Sequence, residues 1–372
     1  MSKCSIKGKV YSDREQLISG LEEVYAGFVQ GDDQLRTSNL EVTHDDTFEE
    51  TSFITLTGSK RPGDRIKNKT NLSFETPVGF LPDDFAGSPQ HHIVFLAGGN
   101  TVLDRADISG VGRFIKYRPT SGKQHSATIQ TFEASTTKGE VSKTNNTSVW
   151  NNLGFRANWT LSLEQDESVK LAFEGGAQAS MQAPFLDVVR NITTEGKGVS
   201  YFKSKCVVVY IDDVRYDGAV SFEVTPNLEV TTPSGIYTCD VCTEIELAAG
   251  DGPSGTLQFL FTEEQVATSG RNLYRQARDG DFPHKIKLIV YDKNERLIFE
   301  MPEVYLRETE KEAGDAFKNI SFNLAPRDTF AGDDWFTKTI EIINIDVGGQ
   351  EIELSDNSGA LLTEDGEPIL WN

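Results

Sequence analysis

The sequence predicts a mainly β protein, and three observations support that prediction. Short runs in which alternate residues are apolar recur from about residue 53 to residue 347, among them KIKLIVY at 285–291 and SATIQTF at 126–132. These runs are rich in Val, Ile, Thr and Phe, residues that fit a pleated, half-buried surface. Polar or glycine-bearing turns such as Asp292-Lys293-Asn294-Glu295 separate them. A hydrophobic content of 37% is enough for a sizeable core, which excludes disorder for most of the chain.

The elements follow in order. Ser12-Asp13-Arg14-Glu15 matches a capping box, and Leu17, Ile18, Leu21, Val24, Tyr25 and Phe28 follow at helical spacing, so a helix is expected over 13–29. Residues 30–50 are polar and acidic and read as a loop or arm. A strand at 53–57, a basic turn at 58–67 and a strand at 69–75 with Leu72 and Phe74 inward come next. A short apolar helix at 91–97 closes at Gly98-Gly99. Strands are expected at 113–119, 126–132, 153–163 and 169–173, with a Lys/Thr/Asn-rich loop at 136–147 and a linker at 184–204.

Residues 206–211 (CVVVYI) are continuously apolar and predict a strand buried on both faces. Further strands are expected at 216–224, 228–232, 237–246 and 256–261, then a helix at 262–277 with Thr262 as its cap. Residues 285–291 and 296–300 form a hairpin, with Ile286, Leu288 and Val290 sharing a face. A run at 304–306, a charged loop at 308–315 and a strand at 317–324 complete a meander, followed by a strand at 335–347. The organisation expected is therefore an N-terminal helix and arm (1–50), a first β module (51–183), the linker (184–204), a second β module (205–347) and an acidic tail (348–372). Leu72-Ser73-Phe74-Glu75 is echoed by Val220-Ser221-Phe222-Glu223, and Leu171-Ala172-Phe173-Glu174 by Leu297-Ile298-Phe299-Glu300. Either two tandem related modules or chance recurrence in strand-rich sequence accounts for this echo.

The charge balance is acidic, with 57 Asp and Glu against 36 Lys and Arg, a formal net charge of -21. Such a chain does not grip nucleic acid by neutralising phosphates, which takes clustered Lys and Arg. No run approaches the roughly 18–20 apolar residues that span a bilayer, and residues 1–10 are too polar for a signal peptide, so synthesis and assembly in a cytosol are expected. The four cysteines include a lone Cys239-Asp240-Val241-Cys242, without the second pair a zinc ribbon needs. His91-His92 has no third ligand at a metal spacing, and GxSxG, GxxxxGK[ST] and HExxH motifs do not occur. The reading is a non-enzymatic protein without cofactor or metal.

Several phrases of strand pattern carry a family resemblance. They are Arg113–Pro119 continuing as Tyr117-Arg118-Pro119-Thr120-Ser121, then Ser126-Ala127-Thr128-Ile129, and Leu153-Gly154-Phe155-Arg156-Ala157-Asn158-Trp159-Thr160 with residues 169–174. The second half adds Leu273-Tyr274 leading to Asp279-Gly280, KLIVYD at 287–292 and IFEMPEV at 298–304. Over roughly residues 53–345 the chain resembles the tail tube (major tail) proteins of long-tailed bacteriophages.

The resemblance implies a β-sandwich or small-barrel subunit with flanking short helices. Such subunits close into rings, and the rings stack into a hollow tube around the tape-measure protein. Lumen strands join across subunits, and double-stranded DNA passes through without specific binding. Tail terminator and baseplate proteins are further partners, no membrane is involved, and the location is the virion tail after assembly in the bacterial cytoplasm. Two duplicated modules would give three chains in a pseudo-sixfold ring, and a single module six chains. Lys60, Arg61, Arg65, Lys67, Lys138 and Lys143, on the polar loops 58–67 and 136–147, are the expected inter-ring and inter-subunit contacts. The alternatives are another phage structural part (terminator, baseplate hub or decoration protein), or a carbohydrate-binding β-sandwich with Trp150, Trp159, Trp335 and Trp371 as a stacking platform.

Overall fold

A computed structural model of the chain describes residues 16–29, 33–35, 37–48, 53–54, 60–61, 65–80, 89, 91–108, 112–134, 147–183, 200–203, 207–216, 218–231, 244–260, 282–292, 295–313, 318–329 and 334–343. The protein is mainly β, and helix among these residues is confined to one short segment. In chain order the first strands are β1 (Gln16–Leu21), β2 (Asp33–Leu35), β3 (Ser38–Phe48), β4 (Phe53–Ile54), β5 (Lys60–Arg61), β6 (Arg65–Pro77) and β7 (Gly79–Phe80). Helix α1 (His92–Ala97) leads into β8 (Asn100–Ile108), β9 (Gly112–Pro119), β10 (Ala127–Ala134), β11 (Thr147–Glu164), β12 (Lys170–Ala177), β13 (Ala179–Ala183) and β14 (Ser200–Tyr201). The remainder are β15 (Val207–Ile211), β16 (Val214–Tyr216), β17 (Ala219–Thr225), β18 (Leu228–Thr231), β19 (Glu246–Ala249), β20 (Ser254–Leu260), β21 (Pro283–Asp292), β22 (Glu295–Ala313), β23 (Lys318–Pro326) and β24 (Thr337–Ile343).

Eighteen strands join in one antiparallel sheet. One run of pairings within it reads β3-β6-β12-β11-β17-β20-β23-β22. Alternation of residues gives this run an apolar face. Leu171, Leu161, Val224, Gly255, Leu324 and Leu306 lie opposite one another in register across six strands. The five apolar side chains of that row are all buried.

Two further runs share the same long strands. The first is β2-β1-β10-β11-β13, and the second is β16-β15-β21-β22-β24-β9-β8. β11 pairs with β10 and β13 over 147–155 and with β12 from Arg156 onward, while β22 pairs with β24 over 295–300 and with β23 over 304–313. Gly154, at φ +69, sits at the changeover in β11, where an L side chain would be strained. Aromatic contacts knit the runs together. Phe222 of β17 lies 5.9 Å from Phe299 of β22, and Trp159 of β11 lies 5.3 Å from Phe336, which stacks at 10° on Phe299.

Several expectations hold. Leu72 and Phe74 face the core of β6, α1 ends at Gly98 with Gly99 at φ +77, and Ile286, Leu288 and Val290 are buried on one face of β21. Others are corrected. Of the helix expected at 13–29, the described residues 16–29 are β1 followed by a turn, and the arm expected at 30–50 holds β2 and β3. Ser19-Gly20 disfavours helix, and pairing of Gln16–Leu21 with residues 127–132 buries Leu17 and Ser19. Val24 and Phe28, expected on an apolar helix face, are exposed. The charged stretch 308–313 continues β22 as strand, because residues 318–322 pair with it. β15 is buried at Val209 and Ile211 only, on one face. The loop 136–146, the linker stretch 184–199, the helix expected at 262–277, the CxxC and the acidic tail lie outside the described residues.

Candidate assembly surface

The eight-stranded run has a second face, and its chemistry is opposite to the first. Lys170, Ser162, Glu223, Thr256, Asn323 and Arg307 form a polar row in register across β12, β11, β17, β20, β23 and β22. On the other half, Glu41, Ser73, Glu174 and Asn158 lie opposite one another across β3, β6, β12 and β11. The same residue phase places Glu75 and Glu164 on this face. Five carboxylates (Glu41, Glu75, Glu164, Glu174 and Glu223) thus stand on one surface with Lys170 and Arg307. Grooves of about 550 and 300 Å³ lie along it, both touched by Glu41, Ser73, Asn158 and Glu174.

Both ends of the run are open among the described residues. β3 pairs only with β6, and 306–313 of β22 pair only with β23. Leu40 and Val42 of β3 pack against the core yet stay partly exposed, whereas Phe222 and Val224 of β17, which has partners on both sides, are fully covered.

The β3–β6 hairpin extends past the body of the sheet. β12 covers β6 from Thr70 to Pro77, and beyond Thr70 the ladder continues with β3 alone from Lys69↔Asp45 to Arg65↔Phe48. Five residues of strand reach about 17 Å. Lys60 and Arg61 then pair with Ile54 and Phe53 in a small two-stranded sheet of their own. Four of the expected contact residues (Lys60, Arg61, Arg65 and Lys67) therefore belong to one ribbon, and Arg65 and Lys67 are strand residues rather than turn. Lys138 and Lys143 lie outside the described residues.

Two polar clusters that the sequence reading missed hold this architecture in place. Around the corner of β11, the Glu22 carboxylate is buried and accepts hydrogen bonds from the Ala26 and Gly154 N–H groups (2.9 Å each) and from the hydroxyls of Ser126 (2.6 Å) and Thr128 (2.9 Å). Beside it the Tyr25 hydroxyl accepts the Ile245 N–H at 2.6 Å, and burial pushes its pKa up to about 12. Arg156 lies 4.8 Å over the Tyr25 ring and donates to the carbonyls of Gln124, His125 and Ile245 and to the carboxylate of Glu244. Four distant segments are tied together here.

The second cluster joins α1 to β24. Lys338 and His91 are both 0% exposed, with Nζ 2.5 Å from Nε2. Nζ also lies 3.7 Å from the Phe95 ring centroid and 5.3 Å from that of Tyr117, whose hydroxyl bonds His92 Nδ1 at 2.8 Å. Burial holds the Lys338 amine well below its ordinary pKa. Burial also lowers His91, with Lys338 and then His92 adding to the effect. His92 falls to about 4, through burial first and then Arg105, Lys338 and His125. The ring faces act the other way by favouring a cation, but desolvation of a fully enclosed amine outweighs them. A substrate reaches neither Lys338 nor His91 without opening the core, so the pair is structural. One signal was present in the sequence: Lys338 shares its strand phase with Ile340 and Ile342.

Trp159 and Trp335 are buried and stacked on each other at 6.2 Å and 10°, so they make core and not a sugar platform. No three His, Cys, Asp or Glu side chains among the described residues gather to hold a metal, and no helix there is long and apolar enough to cross a membrane. No protein-family model matches the sequence, and no curated protein matches it.

Proposed function

We propose that this chain is a structural subunit of a phage tail tube, a β-sandwich whose copies close into rings and stack around the path taken by DNA. One observation carries the reading. An eight-stranded antiparallel run has one face committed to the core, the other polar and acid-bearing, and no strand partner at either end among the described residues. Unpaired edges are an aggregation liability in a monomer, and head-to-tail pairing that closes a ring removes them. The acid-bearing face then lines the lumen, where Glu41, Glu75, Glu164, Glu174 and Glu223 repel phosphate so that a duplex slides through. The phrases that resemble tail tube proteins fall on β9, β10, β11, β12, β21 and β22, strands of this sheet, except the one at 273–280, which lies outside the described residues.

Ring size follows from strand spacing. Three chains of eight strands make a 24-stranded barrel, about 37 Å across for strands along the axis and about 48 Å at a 40° tilt. Inward side chains of about 5 Å on each wall leave a bore of about 27–38 Å. Two chains leave about 14–22 Å, which crowds carboxylates against a duplex whose grooves alone are each about 8 Å deep. Six leave more than about 60 Å, far wider than one duplex fills. Three chains fit best.

The basic ribbon of Lys60, Arg61, Arg65 and Lys67 then contacts the acidic neighbouring ring, and the tape-measure, terminator and baseplate proteins are the remaining partners. Negative-stain electron microscopy at rising protein concentration tests the reading. Hollow tubes of regular rings with three chains each are expected. Monomers at every concentration, with seeds of sonicated tail added, would count against it.

A further inference from the structure

The order of strands in the eight-stranded run repeats. β3, β6, β12 and β11 are followed by β17, β20, β23 and β22. In each set two strands that are neighbours in the run are followed later in the chain by a hairpin whose second strand lies between them and its first. The agreement extends beyond this run. β10 is followed outward by β1 and then β2, as β21 is by β15 and then β16. β10 pairs with the first half of β11 as β21 does with β22. After the hairpin, β13 returns to the first half of β11 as β24 returns to that of β22. Every strand from β15 to β24 has a counterpart in the first half, the two-stranded sheet β18–β19 between β17 and β20 standing where β4–β5 stands between β3 and β6.

Within one chain the two sets meet at a single seam. Leu161 to Glu164 of β11 pair antiparallel with Val224 to Ser221 of β17, the last strand of the first set against the first strand of the second. The open ends are the same two kinds of edge, with β3 first in its set and 306–313 of β22 last in its set. The run has eight strands in strict alternation, so its outermost strands run in opposite directions. Set side by side, the two ends continue the antiparallel pattern without a break. Leu40 and Val42, core-facing but partly exposed on β3, wait for the cover that β11 gives to β17.

We propose that the chain is two copies of one module, and that β3 of one copy of the protein pairs antiparallel with residues 306–313 of β22 in the next, repeating between chains the β11–β17 seam within the chain. The proposal rests on the ring-forming reading above. It commits further to which strands meet and in which direction.

Disulfide scanning tests it in full-length protein whose four native cysteines are replaced by serine. Thr43→Cys, on the exposed phase of β3, is combined in turn with Arg307→Cys, Glu308→Cys, Thr309→Cys, Glu310→Cys, Lys311→Cys, Glu312→Cys and Ala313→Cys. Ser162→Cys with Glu223→Cys, directly opposite each other in the inner seam, is the control and should close within one chain. The expected result is reducible cross-linking between chains at one or two of the seven positions, with little at positions of the opposite pleat phase and none between chains in the control. Rings seen by microscopy with no cross-link at any position would overturn this joint and leave the ring reading standing. Absence of both rings and cross-links would overturn the two together. Cross-links at the expected phase without stacked tubes would support the joint and count against the tube.

Discussion

Lys338→Met should make the protein more stable at neutral pH, by an amount that shrinks as pH rises. Lys338 is fully enclosed by Phe95, Tyr117 and His91, and burial lowers the pKa of its amine well below that of an unfolded lysine. The unfolded chain therefore binds one more proton than the folded chain wherever pH lies between the lowered pKa and about 10.4. In that window stability rises with pH by about 1.4 kcal/mol per unit, and it is lost again as pH falls. His91, whose unfolded pKa is about 6.5, adds nothing between pH 7 and 9. Methionine removes the titration and keeps a flexible side chain of similar length. From pH 7 to pH 9 the variant's advantage over the parent should shrink, by at most about 3 kcal/mol for one proton across two pH units. With an unfolding entropy of about 0.8 kcal/mol/K for a chain of this size, the ceiling is about 4 °C in the difference between the two Tm values. Calorimetric scans of both proteins at pH 7, 8 and 9 measure it. A difference that does not change with pH would mean that Lys338 keeps its proton in the fold, held by the ring faces, and the desolvation argument would fail.

The other expectations concern the corner of β11 and the basic ribbon. Glu22→Ala leaves the buried Gly154 N–H and the half-buried Ala26 N–H without their acceptor and should cost about 2–4 kcal/mol in urea unfolding; a loss under about 0.5 kcal/mol would show that water replaces the carboxylate. Gly154→Ala should cost about 1–2 kcal/mol for its φ of +69 alone, and more from a Cβ placed 2.8 Å from the Tyr25 ring. The Tyr25→Ala background should relieve the second part, so a double-mutant cycle should give a coupling near 1 kcal/mol, and strict additivity would refute the contact. Reversing Lys60, Arg61, Arg65 and Lys67 to glutamate should leave the circular dichroism and Tm of the subunit unchanged while shortening tubes in electron micrographs. Tubes of parental length at both low and high salt would remove the ribbon from the stacking contact.

The sequence was most legible where a strand buries one face only. Ile286, Leu288 and Val290 announce β21 by alternation, and the Leu72/Phe74 phase does the same for β6. It was least legible where local pattern and tertiary pairing disagree. Leu17, Ile18 and Leu21 fit a helix as well as a strand, and only the partner at 127–132, over a hundred residues away, decides. Residues 308–313 look like a charged loop because, on an edge, the strand does not need to bury both phases. Glu22 and Arg156 were invisible, since a carboxylate or guanidinium among polar residues carries no sign that the fold will enclose it. The internal echo pointed to a repeat but matched the wrong strands. Leu72-Ser73-Phe74-Glu75 lies on β6, whose counterpart by pairing is β20, whereas Val220-Ser221-Phe222-Glu223 lies on β17. On the two-module proposal, strand order agrees where sequence phrases do not, because pairing constrains topology more tightly than it constrains side chains.

In the proposed ring of three two-module chains, three of the six module joints form within a chain, where the covalent link supplies a high effective concentration, and only three remain to be made between molecules. The two halves differ at the strands beyond β24 and β13. β9 and β8 extend the second half's run beyond β24, whereas β13, in the corresponding place in the first half, pairs only with β11 among the described residues. The eight-stranded run shows no such break between its halves. In the proposed ring the four-stranded half of that run repeats six times around the path of the DNA, where any one module that bound phosphate would stall it.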